Sequence, residues 1–349
     1  MSYTRRDLGR LTLATVPALG VLSLPRLALA KPDSKIRGVQ LGVITYSFRQ
    51  GVPKNEIVAD IAKIGLSEVE LMSGDAEAMA GAPPAPAGGF GGGRGGRGRG
   101  APQTPLTPEQ QAQQAERQKA QAEYQKAITE WRMKTTDATW APVKKQFHDA
   151  GIDLHVLCYN MGANIKDEEI EHAFQMAKAL GVKSISSSST VSVAKRVAPI
   201  AEKHKMFWGG HGHDDVADPE QFATPETFEK IMAMSKYIGT NLDIGHFTAA
   251  RFDPIAFIQK HHDRITNLHL KDRKHNPEGP AVEGRGPARG ANVPWGEGDT
   301  PIKEVLLLLR KEKYNFPANI ELEYPVPEGS NPVAEVTKCY EYAKKILES

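Results

Sequence analysis

Asn241-Leu242-Asp243-Ile244-Gly245-His246, Asn267-Leu268-His269-Leu270-Lys271-Asp272 and Ile320-Glu321-Leu322-Glu323-Tyr324 are three short runs in the last third of the chain. A fourth lies upstream, Met206-Phe207-Trp208-Gly209-Gly210-His211-Gly212-His213. Each opens as an apolar stretch of β type and finishes in His, Asp or Glu. Strands whose C-terminal ends converge on imidazole and carboxylate groups are how a (β/α)8 barrel assembles a metal site. A single histidine on a strand is more often a packed or surface residue than a ligand. Four ligand-type residues on consecutive strand ends are not explained by packing, because buried charge is costly unless paired or metal-bound.

Working outward, strand and helix signals alternate. Strand-type runs at 39–47, 68–72, 152–160, 182–188, 206–212, 241–247, 264–271 and 318–324 are separated by helical segments. Eight βα units in alternation predict a parallel α/β barrel rather than an open sheet. An open doubly wound sheet would carry a Gly-rich phosphate turn after its first strand. Thr45-Tyr46-Ser47-Phe48-Arg49 is not one.

The barrel is expected over 36–349, with one interruption after the second strand. Residues 76–106 are almost all Ala, Pro, Gly and Arg, a composition that cannot bury enough apolar surface to order itself. From Thr107 the chain turns Gln-, Ala-, Lys- and Glu-rich. Thr107-Pro108-Glu109-Gln110 reads as the capped start of a long polar helix. At the N-terminus, Thr4-Arg5-Arg6-Asp7-Leu8-Gly9-Arg10 precedes an apolar run from Leu11 to Leu29, and Ala28-Leu29-Ala30 offers a cleavage site. This reads as a twin-arginine-type export signal over 1–30, so the expectation is a periplasmic protein with no membrane anchor after cleavage. The net charge of +2 gives no argument for nucleic acid. The two cysteines, Cys158 and Cys339, make no disulfide framework and are expected as buried thiols.

Alternate strand residues share a face. Glu321 pairs with Glu323 in this sense, His269 with Lys271, and His211 with His213. Two imidazoles and two carboxylates suit Mn²⁺, Co²⁺, Zn²⁺ or Fe²⁺ better than Mg²⁺ or Ca²⁺.

These segments resemble the xylose isomerase-like barrel family of sugar phosphate isomerases and epimerases. The likeness is densest from Trp208 to Pro327. It rests on Asp243-x-x-His246, on His269-Leu270-Lys271-Asp272, on Gly296-Glu297-Gly298-Asp299 and on Leu322-Glu323. The resemblance implies Asp243, His269 and Glu323 as metal ligands and His246 beside the bound sugar. It also implies Glu70, in Val69-Glu70-Leu71, in the pocket. The chain departs from the family at strand five, where many epimerases carry a ligating glutamate and this chain has His211-Gly212-His213. His211 can bind metal but cannot act as a carboxylate base, so a mechanism with two glutamate bases does not carry over unchanged.

The expected activity is that of a divalent-metal-dependent sugar isomerase or epimerase. A proton next to a carbonyl is removed and the metal stabilises the enediolate. Glu323 is the first candidate base, followed by Glu70 and Lys271. His246, His213, Trp295 and Tyr46 are the candidate substrate contacts, and Trp295 serves equally as a packing anchor for its loop. Two alternatives stand beside this reading. One is a lyase or hydratase that breaks 3-keto-glycosides through the same enolate; the other is a non-catalytic carbohydrate-binding barrel. All take a small sugar as partner, and the oligomeric state stays open.

Overall fold

The structure is a computed structural model that describes residues 31–86, 107–278 and 289–349. The expected signal and most of the Gly/Arg tract therefore lie outside the described residues. A short strand β1 (Lys35–Ile36) runs antiparallel to the start of β2 (Val39–Ile44). Seven further parallel strands follow around a closed ring. They are β3 (Glu68–Met72), β4 (Asp153–Cys158), β5 (Ser184–Ser187), β6 (Phe207–His211), β7 (Ile238–Asp243) and β8 (Ile265–Leu270), and, after a two-stranded ribbon, β11 (Ala318–Ile320). The ribbon is β9 (Asp272–Arg273) with β10 (Asn292–Val293), antiparallel. Strand β11 pairs with both β8 and β2, which closes an eight-stranded parallel barrel.

The barrel is wrapped by α1 (Ile57–Ile64), α2 (Ser73–Met79), α3 (Pro108–Arg132), α4 (Asp137–Ala150), α5 (Asp167–Leu180) and α6 (Val191–His204). It continues with α7 (Pro225–Met232), α8 (Ile244–Ala249), α9 (Pro254–His261), α10 (Ile302–Glu312) and α11 (Pro332–Glu348). Helix α1 shows the packing logic. Ile57, Ile61 and Ile64 recur at helical spacing and are buried, and the helix stops at Gly65, whose φ of 97° only glycine adopts freely. Burying three such side chains contributes roughly 1.5–3 kcal/mol each. Helix α3 is the long polar helix the sequence predicts. Thr107 accepts from the Gln110 backbone while the Gln110 side chain accepts from the Thr107 backbone, and among its side chains only Ile128 is buried. No helix among the described residues is long and apolar enough to cross a membrane.

Several expected boundaries move, each for a local reason. The strand expected at 241–247 ends at Asp243, because the Asp243 carboxylate caps a helix that starts at Ile244. The last strand is shorter than expected and ends at Ile320, although Glu321 N still donates to Leu270 O at 3.0 Å. The first ends at Ile44, and Thr45–Phe48 form a 3-10 turn. Residues 76–79 were expected in the low-complexity insert but belong to α2. That helix is fastened by Thr45 Oγ1 donating to Asp75 (2.6 Å) and by the Arg132–Glu77 ion pair (2.7 Å). Cys158 and Cys339 are buried free thiols.

Below the mouth the barrel axis is polar. Asn319 donates to Glu68 (2.6 Å), and Asn267 donates to Asn319 (3.0 Å) and to Glu70 (2.6 Å). Burial, and then the charge of Glu70, pushes the Glu68 carboxyl well above the usual carboxylate range. The plug needs the glycine on β2: a Cβ on Gly42 would lie 1.6 Å from Glu68 Oε2.

A candidate metal centre at the barrel mouth

The four strands that the sequence singles out meet at their C-terminal ends. Donor atoms of His211 (end of β6), Asp243 (end of β7), His269 (β8) and Glu321 (just past β11) all lie within 4.8 Å of one another. The β8–β11 register sets this level: Asn319 stands beside His269, which places Glu321 one step above it on the same inward face. All four residues are buried.

Each imidazole is oriented from behind. His211 Nδ1 meets Asn241 Oδ1 and donates to it, which leaves Nε2 with its lone pair. Burial, and then the neighbouring imidazoles His269 and His213, holds His211 well below its ordinary value, so it is neutral. His269 Nε2 lies 2.6 Å from Glu70, and its Nδ1 lies 3.1 Å from Glu321. With Nε2–H directed at Glu70, Nδ1 faces Glu321 and the cluster, and it can ligate a cation once its own proton has left. Burial alone would lower the His269 pKa, but Glu70 and Glu321 reverse the direction and raise it well above the ordinary value. Asp243 Oδ1 accepts from the His246 backbone N–H (2.8 Å), so only Oδ2 faces the cluster, and it has no aligned hydrogen bond.

Lys271 fills the space between the carboxylates. Its ammonium lies 2.7 Å from Asp243 Oδ2, 2.9 Å from Glu321 Oε2 and 2.7 Å from Glu323 Oε2. Burial would lower its pKa, yet Asp243, Glu321 and Glu323 together raise it, so the side chain is charged. The close approach is allowed by Gly245, where a Cβ would lie 2.5 Å from Lys271 Cγ.

This donor set fits a divalent cation. It supplies two nitrogen and two oxygen donors, both rings have outer hydrogen-bond partners, and Asp243 Oδ2 is turned inward. Three carboxylates also surround one ammonium, so the site retains the negative charge that a dication would neutralise. Of the expected ligands, the fold brings His211, Asp243 and His269 together in this cluster. The fourth place differs: the expected residue is Glu323, whereas the one inside the cluster is Glu321. Glu323 stands a step nearer the mouth, its side chain 19% exposed against 6% for Glu321. Burial would raise its pKa, but Lys271 holds it below the usual carboxylate value.

The other candidates fall into three groups. His213 and His246 line the mouth beside His211, with ring centroids 5.0 and 6.2 Å from it. Burial lowers the His213 pKa to about 3, with His246 adding to the shift. Asp214, which sequence reasoning missed, steadies this rim. It accepts from Arg273 (3.0 Å), forms an ion pair with Arg289 (3.3 Å) and lies 3.5 Å from His246 Nδ1. Tyr46 follows β2 with Arg49 over its ring at 4.1 Å; burial raises its hydroxyl pKa, Arg49 opposes the rise, and Glu323 and Glu321 add to it. Glu70, expected as a base, is fully buried beneath His269. Its oxygens accept from Ser186 and Asn267 as well as facing His269. Trp295 meets Tyr342 of α11 edge-on at 5.9 Å, the arrangement of a loop anchor. Asp272 organises the same loop, accepting from the backbones of Gly296 (2.8 Å), Gly298 (2.9 Å) and Thr300 (3.2 Å).

Residues 118–342 match the family model described as the xylose isomerase-like TIM barrel. No curated protein matches the chain. Among solved structures, a sugar phosphate isomerase/epimerase from Parabacteroides distasonis ATCC 8503 superposes with a TM-score of 0.52 at 16% identity, covering 89% of this chain and 96% of that one. The probable 3-DHS dehydratase AsbF, involved in petrobactin synthesis in Bacillus anthracis, gives 0.55 at 13% identity over 89% and 99%. The IOLI protein, solved with a bound zinc atom, gives 0.52 at 14% over 89% and 94%. At these identities the structural neighbours speak for the fold. With the barrel closed and the family model spanning well over half of its length, the chain belongs to the xylose isomerase-like TIM-barrel family.

Proposed function

We propose that this protein is a divalent-metal-dependent enzyme that removes a proton next to the carbonyl of a small sugar. The observation that carries the reading is the junction of two features. A buried His211–Asp243–His269–Glu321 cluster lies beside a Glu323–Lys271 pair that opens to the barrel mouth. A cation held by those four residues would polarise the carbonyl and an adjacent hydroxyl, favouring the negative charge that develops as the proton leaves.

The chain's own residues divide the rest of the work. Glu323 is the most open carboxylate around Lys271 and is ionised beside it, so it can accept the carbon-bound proton. Lys271 places an ammonium 2.7 Å from that carboxylate, where it can hydrogen-bond a substrate oxygen gaining charge. His213, His246 and Tyr46 surround the mouth and offer hydrogen bonds to hydroxyl groups. Glu70 fits an orienting partner of His269 better than a base, since its oxygens are engaged below the imidazole.

One open carboxylate favours reactions that need a single base. These are isomerisation with the proton returned on the same face, or β-elimination from an oxidised 3-keto-glycoside. Epimerisation with two bases on opposite faces would need a second open carboxylate, and Glu321 is committed to the cluster. The probable dehydratase among the fold neighbours supports keeping elimination as the second reading. The export signal expected over 1–30 would make free rather than phosphorylated sugars the substrates to try first.

The test is proton NMR in deuterated water with Mn²⁺-loaded protein and a panel of free ketoses, aldoses and 3-keto-glycosides. Exchange at the carbon next to the carbonyl is expected with wild type and is lost in Glu323→Gln. Exchange that persists in Glu323→Gln would remove that residue as the base, and no exchange with any substrate would refute the proposed chemistry.

A further inference from the structure

Lys271 and a divalent cation need the same oxygen. Asp243 Oδ1 is already occupied as the cap of α8, accepting from His246 N at 2.8 Å, so Oδ2 is the atom Asp243 can offer an ion. That atom is 2.7 Å from the Lys271 ammonium, which also contacts Glu321 Oε2 at 2.9 Å. Two of its three carboxylate partners are therefore members of the four-residue cluster. The third, Glu323, is not; it lies toward the mouth, 2.7 Å from the ammonium, with Asn292 Nδ2 at 3.4 Å.

We propose that Lys271 is an internal counter-cation that holds Asp243 and Glu321 in position before metal enters, then yields those oxygens and is retained on Glu323. The inference rests on the reading of the cluster as a divalent-cation site and adds a role for this lysine toward the ion. Its physical basis is the cost of two cations close together in a buried site, which falls if the smaller charge moves away to its own carboxylate. The fold provides for that position. Gly245 leaves room for the lysine stem against the α8 backbone, and Glu323 stands one inward-facing step above Glu321. Lys271 is on this account a positioning residue for the metal ligands and a regulator of metal affinity.

The test is Mn²⁺ affinity, with free ion measured by electron paramagnetic resonance, in wild type, Lys271→Met, Glu323→Gln and the double variant. Lys271→Met is expected to bind Mn²⁺ at least about tenfold more tightly, because the competing charge is gone. Glu323→Gln is expected to weaken binding by about tenfold in the wild-type background, but by less than about threefold when Lys271 is absent, since the retained position then has no occupant. Equal or weaker Mn²⁺ binding by Lys271→Met, or an undiminished Glu323→Gln effect in its background, would overturn the proposal. If Lys271→Met does not fold, Lys271→Gln keeps a hydrogen-bonding group among the carboxylates and must show the same tightening. A wild-type protein that binds no Mn²⁺, Co²⁺ or Zn²⁺ would refute the cation site itself, a result distinct from wild-type binding that Lys271→Met leaves unimproved.

Discussion

Asp272→Ala would release the loop that closes one side of the mouth. In the folded protein the Asp272 carboxylate accepts three backbone hydrogen bonds, from Gly296 (2.8 Å), Gly298 (2.9 Å) and Thr300 (3.2 Å). The chain hugs it so closely that a Cβ on Gly298 would lie 1.9 Å from Asp272 Oδ1. Truncation leaves three donors without their acceptor. The Thr300 bond is buried and its donor pays most of the desolvation penalty, about 1–3 kcal/mol, while the two glycine amides are partly accessible and cost about 1 kcal/mol each. The sum is about 3–5 kcal/mol. At roughly 2–4 °C per kcal/mol for a domain of this size, Tm should fall by about 6–20 °C. Hydrogen exchange localises the effect: the amides of Gly296, Gly298 and Thr300 should lose protection while those of β7 and β8 keep it. Asn292 of the adjoining ribbon touches Glu323, so the same variant should lower activity more than it lowers metal content. A variant within about 1 kcal/mol of wild type, with the three amides still protected, would refute the clamp.

Two further perturbations follow from the buried network. His172 is buried and has its pKa lowered to about 4, by burial first and by Arg132 second. In the unfolded chain it titrates near 6.5, so between about 6.5 and 4 the unfolded state binds the extra proton. Its contribution is thus full above 6.5 and is lost as pH falls; His172→Leu should remove about 2–3 kcal/mol of the acid-induced loss seen by urea denaturation at pH 7 and 4.5, and unchanged pH dependence would contradict this. Glu70→Gln removes the carboxylate that fixes His269 from behind, and metal affinity should fall by roughly 10–100-fold with the fold retained. An unchanged affinity by calorimetry would show that His269 does not depend on that partner.

The barrel was legible because its signals are local and repeated. Apolar runs ending in ligand-type residues sit at each of the last four strands, and Thr107 with Gln110 announces α3. Three parts of the site were not legible, for physical reasons. Glu321 and Glu323 share a face by alternation, so the sequence carries their phase but not their depth. Depth is set by the pairing of Asn319 with His269, a contact between residues 50 apart in the chain. The descent of Glu70 beneath His269 depends likewise on where β3 sits around the ring, since Ser186 and Asn267 reach it from β5 and β8. Asp214 lies in an irregular segment after β6 with no periodicity to mark it, and its role appears once Arg273 and His246 are brought beside it. Asp243 shows the same limit at smaller scale. Its identity as a strand-end ligand candidate was readable, but its second task as the cap of α8 was hidden by the apolar Ile244 that follows it.

The central claim is that His211, Asp243, His269 and Glu321 form one divalent-cation centre. The most direct measurement is metal content by inductively coupled plasma mass spectrometry on purified wild type and His269→Ala, each also assayed after incubation with Mn²⁺, Co²⁺, Zn²⁺ and Fe²⁺ and removal of excess. The account predicts near-stoichiometric metal in wild type and its loss in His269→Ala while the variant stays folded. Wild type without bound metal after every reconstitution, or a His269→Ala protein that retains it in full, would contradict the account.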